Sequence, residues 1–360
     1  MASPTRPDFK AQALRRRRRL ATVSTIISLA LVCFSYYFYQ IFFTANIEVP
    51  DGDRAYVLIR RGDNWKAALD TIESTGNVVD KLSLRFVARL LNYDRAGAVK
   101  PGRYELKNGY TNRELINVLK AGLQSPVRLT FANVRLRREL AVKLGRQIAA
   151  RPGRLDSLLA DPEYVRTLGF DTTSVLGMFI PNTYEMWWNT SAEKLLTKMK
   201  GEYEKFWTPA RDAAREPLHL TRAQVSTLAS IVEAEQQQHA DERPRIAGVY
   251  LNRLRRGMKL QADPTVVYAN HDFTIKRVLN VHLQKDSPYN TYKYAGLPPG
   301  PINLPSIASI DAVLHPESNN YLYFCAKEDF SGYHSFATSQ AEHLLNARRY
   351  QAALTRNGIQ

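Results

Sequence analysis

Hydrophobic positions fall into three patterns along the chain. The first is an unbroken apolar run from Leu20 to Phe43, LATVSTIISLALVCFSYYFYQIFF, 24 residues without a charge. At about 1.5 Å of rise per residue it exceeds the roughly 30 Å of a bilayer core, which predicts one transmembrane helix. The run is longer than the apolar stretch of a signal peptide, and no small-residue cleavage pattern follows Tyr36 to Phe43, so an uncleaved anchor is expected. No later segment has the length and apolarity to cross a membrane.

The second pattern is short and mixed, over residues 55–122. YVLI from Tyr56 reads as a strand, Trp65 to Ile72 and Leu82 to Leu91 as helices, and PGRYEL, with Tyr104 and Leu106 alternating after a Pro-Gly turn, as a second strand. A further helix spans Asn112 to Leu119. Asp63 or Asn64 starts the first helix, and Thr111 with Glu114 forms a capping box for the last. Strand, two helices and strand resemble a LysM-like module, which implies either glycan binding or a small spacer. A boundary at Leu123 to Pro126 opens a larger unit over residues 125–355, with a strand at VRLTF and helices at Leu136 to Ile148, Arg154 to Leu159 and Glu163 to Leu168. LGMFIPNTYEMWW follows. Its Trp187 and Trp188 have faces that suit sugar rings, although aromatics are more often core. NYLYFCAKEDFSGYHSF reads as strand, turn at Ser331 and Gly332, and strand, before a last helix from Ser339 to Leu354. The expected class is α+β, with a single N-terminal span, a small α+β module and a larger α+β domain.

The third pattern is helical and carries the candidate chemistry. Val225, Leu228, Ala229 and Val232 recur at helical spacing, predicting an amphipathic helix over Arg222 to Gln237. With Val225 at zero, Glu233 lies at about +80° and Glu235 at about −80°, on opposite edges of the stripe. Partial desolvation at such an edge can keep a carboxyl protonated near neutrality, as a general acid requires. Helix geometry does not choose between the two. Downstream, Asp241 is expected to cap a helix with Pro244 in its first turn, Asn252 and Arg253 project from its flank, and Gly257 ends it. Gln261 and Asp263 precede a Pro turn. The stretch DSPYNTYKYAGLPPGPINLPS is too rich in Pro and Gly for regular structure, and its Tyr289, Asn290, Tyr292 and Tyr294 suit a stiff cleft wall.

Charge then sets the surroundings. Arg6, Lys10 and Arg15 to Arg19 precede the apolar run against the single acid Asp8, so a basic tail over residues 1–19 is expected in the cytoplasm and everything after the span outside. The net charge is +16, of which about +10 lies beyond that tail and favours acidic lipid or cell-wall polymer as a partner. No basic cluster interleaved with aromatics points to nucleic acid. Cys33 lies in the span and Cys325 outside, so they form no intrachain disulfide. The seven histidines show no metal-binding spacing, and no metal or other cofactor is expected.

Taken in order, LASIVEAE, VYLNRL, GMKLQADPTVVY, SPYNTYKYAGLPPGPI and YLYF…HSF resemble the endolytic murein transglycosylase (YceG-like) family. The resemblance implies lytic cleavage of the β-1,4 bond between N-acetylmuramic acid and N-acetylglucosamine within peptidoglycan strands, at an inner or cytoplasmic membrane. It places the essential glutamate at Glu233, the first of the VExE pair. Glu235, Asn252, Gln261, Asp263, Tyr289, Asn290 and Tyr292 are expected to meet substrate, and the loop Leu297 to Gly300 falls on a further family-typical position. Gln236 stands where many members have Thr, and the turn AKEDFSGY is longer than usual. Peptidoglycan glycan strands and the bilayer are the implied partners, with peptidoglycan synthases as further candidates. The competing expectations are a glycosidase pairing Glu233 with Glu235 or Asp263, and a non-catalytic wall-binding scaffold.

Overall fold

The computed structural model describes residues 9–50 and 52–358; Arg6 and Asp8 of the basic tail lie outside them. It divides into two compact units, residues 1–126 with 187–189, and residues 127–186 with 190–360.

In the first unit, one helix, Phe9–Phe43, runs for 35 residues, and its segment Gln12–Phe43 is long and apolar enough to cross a membrane. It starts well before Leu20, because the arginine run is made of good helix formers and continues the helix rather than ending it. Ile26, Leu29 and Val32 are more than half exposed, a pattern compatible with a membrane-spanning helix. Beyond it, β1 (Ala55–Ile59) pairs antiparallel with β2 (Gly102–Leu106), and helices Trp65–Glu73 and Lys81–Leu90 fill the connection. Asn64 Oδ1 accepts from the Ala67 N–H, and the Thr111/Glu114 capping box forms at the start of Asn112–Ala121. Val57, Ile59, Leu69, Leu84, Tyr104 and Ile116 make a dry core. Asn112 crosses it, donating to Ser83 Oγ at 3.0 Å and to the Ile41 carbonyl at 3.0 Å, which ties the end of the long helix to the unit.

The second unit is mostly helical, with two antiparallel pairs, β3 (Val127–Thr130) with β4 (Thr183–Met186) and β5 (Tyr323–Ala326) with β6 (His334–Ala337). At its centre stands the helix Arg222–Glu235. The sequence predicts an amphipathic element here, but every residue from Val225 to Val232 is buried. Its polar face is covered as well. Thr227 Oγ1 donates back to the Ala223 carbonyl, and Ser230 Oγ donates to the Thr227 carbonyl while accepting the Ile302 N–H at 3.0 Å, so hydroxyls that read as a solvent face are satisfied beneath a strap of chain.

Around this helix pack Arg243–Arg255, Asp263–Asn270 and Ile307–Leu314. Asp241 does not cap the first of these. Residues Ala240–Glu242 form a 3-10 turn, and Asp241 Oδ2 instead accepts from the Tyr333 hydroxyl at 3.1 Å. Asp263-Pro264, expected as a turn, begins a helix, since proline's fixed φ and missing N–H suit a first helical turn. The helices Ala192–Phe206 and Ile307–Leu314 were not anticipated either. Residues 286–306 contain no helix or strand. The loop is pressed so closely on its neighbour that a Cβ added at Gly300 would stand 2.0 Å from the Thr173 carbonyl oxygen, which leaves glycine as the fitting residue.

Candidate functional site

Near the C-terminal end of the central helix the two carboxylates leave on opposite sides, in agreement with their spacing of about 160° around the helix. Both are half-buried. Their surroundings differ in kind.

Glu233 faces the start of the helix Ile307–Leu314. Its Oε2 accepts three hydrogen bonds, from the Ser306 N–H at 2.6 Å, the Ser306 hydroxyl at 2.5 Å and the Ser309 hydroxyl at 2.7 Å. Ser306 is also the N-cap of that helix, accepting from the Ser309 N–H. Behind the two hydroxyls lies Arg243, 8% exposed, whose Nη1 is 3.1 Å from Ser309 Oγ and whose Nε donates to the Gln236 carbonyl at 2.8 Å. With Oε2 filled, Oε1 is the oxygen left to exchange a proton, since it takes no hydrogen bond among the described residues. The carboxylate lines a cleft of about 770 Å³ together with Arg135, Glu139, Gln237, Phe273 and Asn303. Asn303 Nδ2 donates to the Ser230 carbonyl, while its buried Oδ1 has no partner among the described residues.

Glu235 turns towards the helix Arg243–Arg255, where the Tyr250 hydroxyl donates to its Oε1 at 2.7 Å. Burial pushes this carboxyl up to about 7; the Tyr250 hydrogen bond opposes the rise and the nearby Asp263 charge adds to it. Asp263 in turn accepts from the Tyr292 hydroxyl at 2.6 Å, and burial together with that carboxylate pushes the Tyr292 phenol upward. Glu235 and Asp263 line a second cavity of about 450 Å³, which shares Arg135, Ala234, Gln237, Phe273 and Asn303 with the Glu233 cleft. They also line a third of about 520 Å³ with Tyr250, Gln261, Tyr292 and His334. The three cavities adjoin through these shared lining residues and together make up the groove referred to below, Glu233 lining one arm and the Glu235/Asp263 pair lining the other two.

The remaining residues singled out from the sequence lie elsewhere in the framework. Asn252 donates to the carbonyls of Asn319 and Tyr321, and Arg253 to those of Leu322 and Leu260, which fastens the approach to β5. Asn290 is fully buried and donates to the carbonyls of Leu283 and Lys285. Tyr289 packs on Tyr268, ring centroids 4.7 Å apart, at the edge of the core. Gln261 lines the third cavity from a left-handed backbone conformation, φ +50°, held by the Thr291 carbonyl. Tyr294 is exposed and donates to Asp286. Gln236 and the long turn, the two departures noted from the family pattern, touch one another: Gln236 Nε2 donates to the Gly332 carbonyl at 2.9 Å and to Glu242, which also binds His334.

Sequence reading missed Arg243, Ser306, Ser309 and Asn303. The Ser-x-x-Ser spacing after Pro305 is a helix N-cap signal that was available, but nothing local connects it with Glu233. Among the described residues no three His, Cys, Asp or Glu side chains cluster as a metal site.

The YceG-like family model matches residues 57–349. Proteins of two Streptococcus pneumoniae strains, each named endolytic murein transglycosylase, are 27% identical over 364 aligned positions, covering 91% of this chain and 64% of theirs. The chain thus spans just under two thirds of the length of these curated relatives. A Bacillus subtilis protein of the same name is 50% identical over 103 residues, 29% of this chain and 28% of that one. A crystal structure of a YceG-like protein from Listeria monocytogenes superposes with a TM-score of 0.55 at 27% identity, covering 81% of this chain and 98% of that one. With a family model spanning most of its length, the chain belongs to the YceG-like family.

Proposed function

We propose that this protein is a membrane-anchored endolytic murein transglycosylase that cuts MurNAc-β-1,4-GlcNAc bonds within nascent peptidoglycan and so limits strand length. The observation that carries the reading is the fixed Glu233 carboxyl, one oxygen filled by Ser306 and Ser309 and the other free beside the groove, in a chain whose relatives bear that name.

In the first step Glu233 gives its Oε1 proton to the glycosidic oxygen as the C1–O bond breaks and the GlcNAc hydroxyl leaves. In the second, the muramic C6 hydroxyl attacks C1 and returns its proton to Oε1, leaving a 1,6-anhydro end. The nucleophile belongs to the substrate, so one carboxyl serves as acid and then base. Arg135 on the cleft wall suits the carboxylates of lactyl and peptide groups. The helix Phe9–Phe43 serves as the anchor, with the basic N-terminus cytoplasmic and both units outside, as the charge bias favours. The β1/β2 pair with its two helices serves as a LysM-like module.

Hydrolysis is the second reading. It is favoured by Glu139 in the same cleft and by Glu235 near neutrality in the adjoining arm, since a hydrolase needs a second carboxylate. Incubation of wild type and Glu233→Gln with peptidoglycan, followed by mass spectrometry, separates the readings. Anhydro ends from the wild type alone support the proposal, reducing ends transfer the case to hydrolysis, and an unaffected Glu233→Gln removes Glu233 as catalyst.

A further inference from the structure

We propose that the segment from Ile275 to Lys285, which forms one wall of the groove, docks on an anionic lipid surface. Leu279 and Val281 are 52% and 70% exposed, two branched aliphatic side chains two residues apart. Between Ile275 and Lys285 the chain carries the cations Lys276, Arg277 and Lys285 and no acid. The flanking acids Asp272 and Asp286 are engaged, the first by the Thr274 N–H and hydroxyl and the second by the Tyr294 hydroxyl at 2.6 Å.

The exposure is built in rather than a product of slack. Fully buried Asn290 holds the carbonyls of Leu283 at 2.9 Å and Lys285 at 2.8 Å, Asn270 Nδ2 donates to the His282 carbonyl at 3.2 Å, and His282 Nδ1 accepts the Leu279 N–H at 3.0 Å. These bonds hold both ends of the short helix Asn280–Leu283, and the aliphatic tips stay outside. A segment with apolar tips flanked by lysine and arginine matches the boundary between headgroups and acyl chains, where the tips leave water and the cations meet anionic headgroups. A glycan gives branched aliphatics no comparable shelter, and a second copy of this segment would set cations against cations.

The inference rests on the reading of Phe9–Phe43 as a membrane anchor. It adds that the catalytic unit touches the bilayer itself. Ile275, Lys276, Arg277 and Val278 wall the cavity of about 450 Å³ beside Glu235, so docking would hold that arm of the groove against the headgroups, where a lipid-linked strand emerges.

The test is hydrogen exchange of the full chain in nanodiscs of phosphatidylglycerol or phosphatidylcholine. Residues 275–285 are expected to exchange on the order of tenfold more slowly in the anionic discs, and Leu279→Ser/Val281→Ser is expected to abolish the difference while leaving Tm unchanged. Equal exchange in the two lipids, or slowing only after a second protein is added, overturns the inference. Carbonate-resistant flotation of the same preparation reports on the anchor helix alone: a chain that floats with an unprotected loop sinks this inference, whereas a chain that does not float sinks the anchor reading.

Discussion

Two carboxylates two residues apart on one helix meet opposite electrostatic surroundings. On the Glu233 side, polar donors converge: a backbone N–H and two hydroxyls on one oxygen, with a buried guanidinium behind them. On the Glu235 side, burial dominates, one tyrosine hydroxyl compensates, and a second carboxylate stands nearby. The sequence assigns both to the edge of an apolar stripe and makes desolvation the common feature. In the structure burial raises the Glu235 carboxyl, while what sets Glu233 apart is fixed orientation. Orientation is what a group needs if it must hand over a proton and take it back at one atom. An acid near neutrality without such fixing is a candidate for modulation of its neighbours.

The largest effect should come from breaking this asymmetry at its source. Glu233→Gln is expected to lower anhydro product formation on the order of a thousandfold, and Glu235→Gln by less than about tenfold, with both variants folded by circular dichroism. A reversed order would make the desolvated residue the catalyst and the oriented one its support.

Next in size is removal of the support behind Glu233. Arg243→Gln takes a buried cation from hydroxyls and main-chain carbonyls, so a loss of about 2–4 kcal/mol in stability should accompany a roughly hundredfold fall in kcat with KM little changed. Arg243→Lys keeps the charge but not the fork, and should recover part of the stability and less of the rate. Ser309→Ala removes one of the three bonds at little cost in packing and should lower kcat roughly tenfold. If Ser309→Ala changes KM alone, the cradle positions substrate rather than the acid. On the other flank, Tyr250→Phe should cost about 1 kcal/mol and leave kcat within a factor of about three, because the hydroxyl it removes bonds Glu235 and not Glu233. A collapse of kcat there would show that the two carboxylates act as one unit.

How far the sequence reaches is clear from the same residues. The capping box of Thr111 and Glu114, the strands around PGRYEL and the opposite exits of Glu233 and Glu235 are local consequences of periodicity, and all are read correctly from spacing. The cradle is not local. Ser306 and Ser309 lie more than 70 residues from Glu233, and Arg243, which sits beside Pro244, looks from the sequence like part of a helix start. Asn252 and Asn290 show the converse: conspicuous polar residues in candidate motifs whose donors go to backbone carbonyls, because buried loop backbone must find partners somewhere. Ser226, Thr227 and Ser230 mislead for a related reason. All three are buried, and the Thr227 and Ser230 hydroxyls bond back to their own helix, so polar letters lie on a buried face.

The most narrowly confined effect is on stability against pH, where Glu235 gives the largest single contrast. Its ordinary carboxyl value is 4.5 and burial raises it to about 7 in the folded protein. Between these values the folded state holds a proton that the unfolded state has released, so stability falls as pH rises through the window and levels off above about 7. Glu242 acts in the opposite sense, because its hydrogen bonds from His334 and Gln236 hold its carboxyl below the ordinary range, and its contribution is lost only as pH falls further. Comparing wild type with Glu235→Gln cancels that background. The variant should match the wild type near pH 4.5 and gain on it steadily to about pH 7, as read by thermal unfolding at fixed ionic strength. A constant difference across the range would mean that Glu235 titrates as an ordinary surface acid, and the contrast between the two flanks would then rest on hydrogen-bond geometry alone.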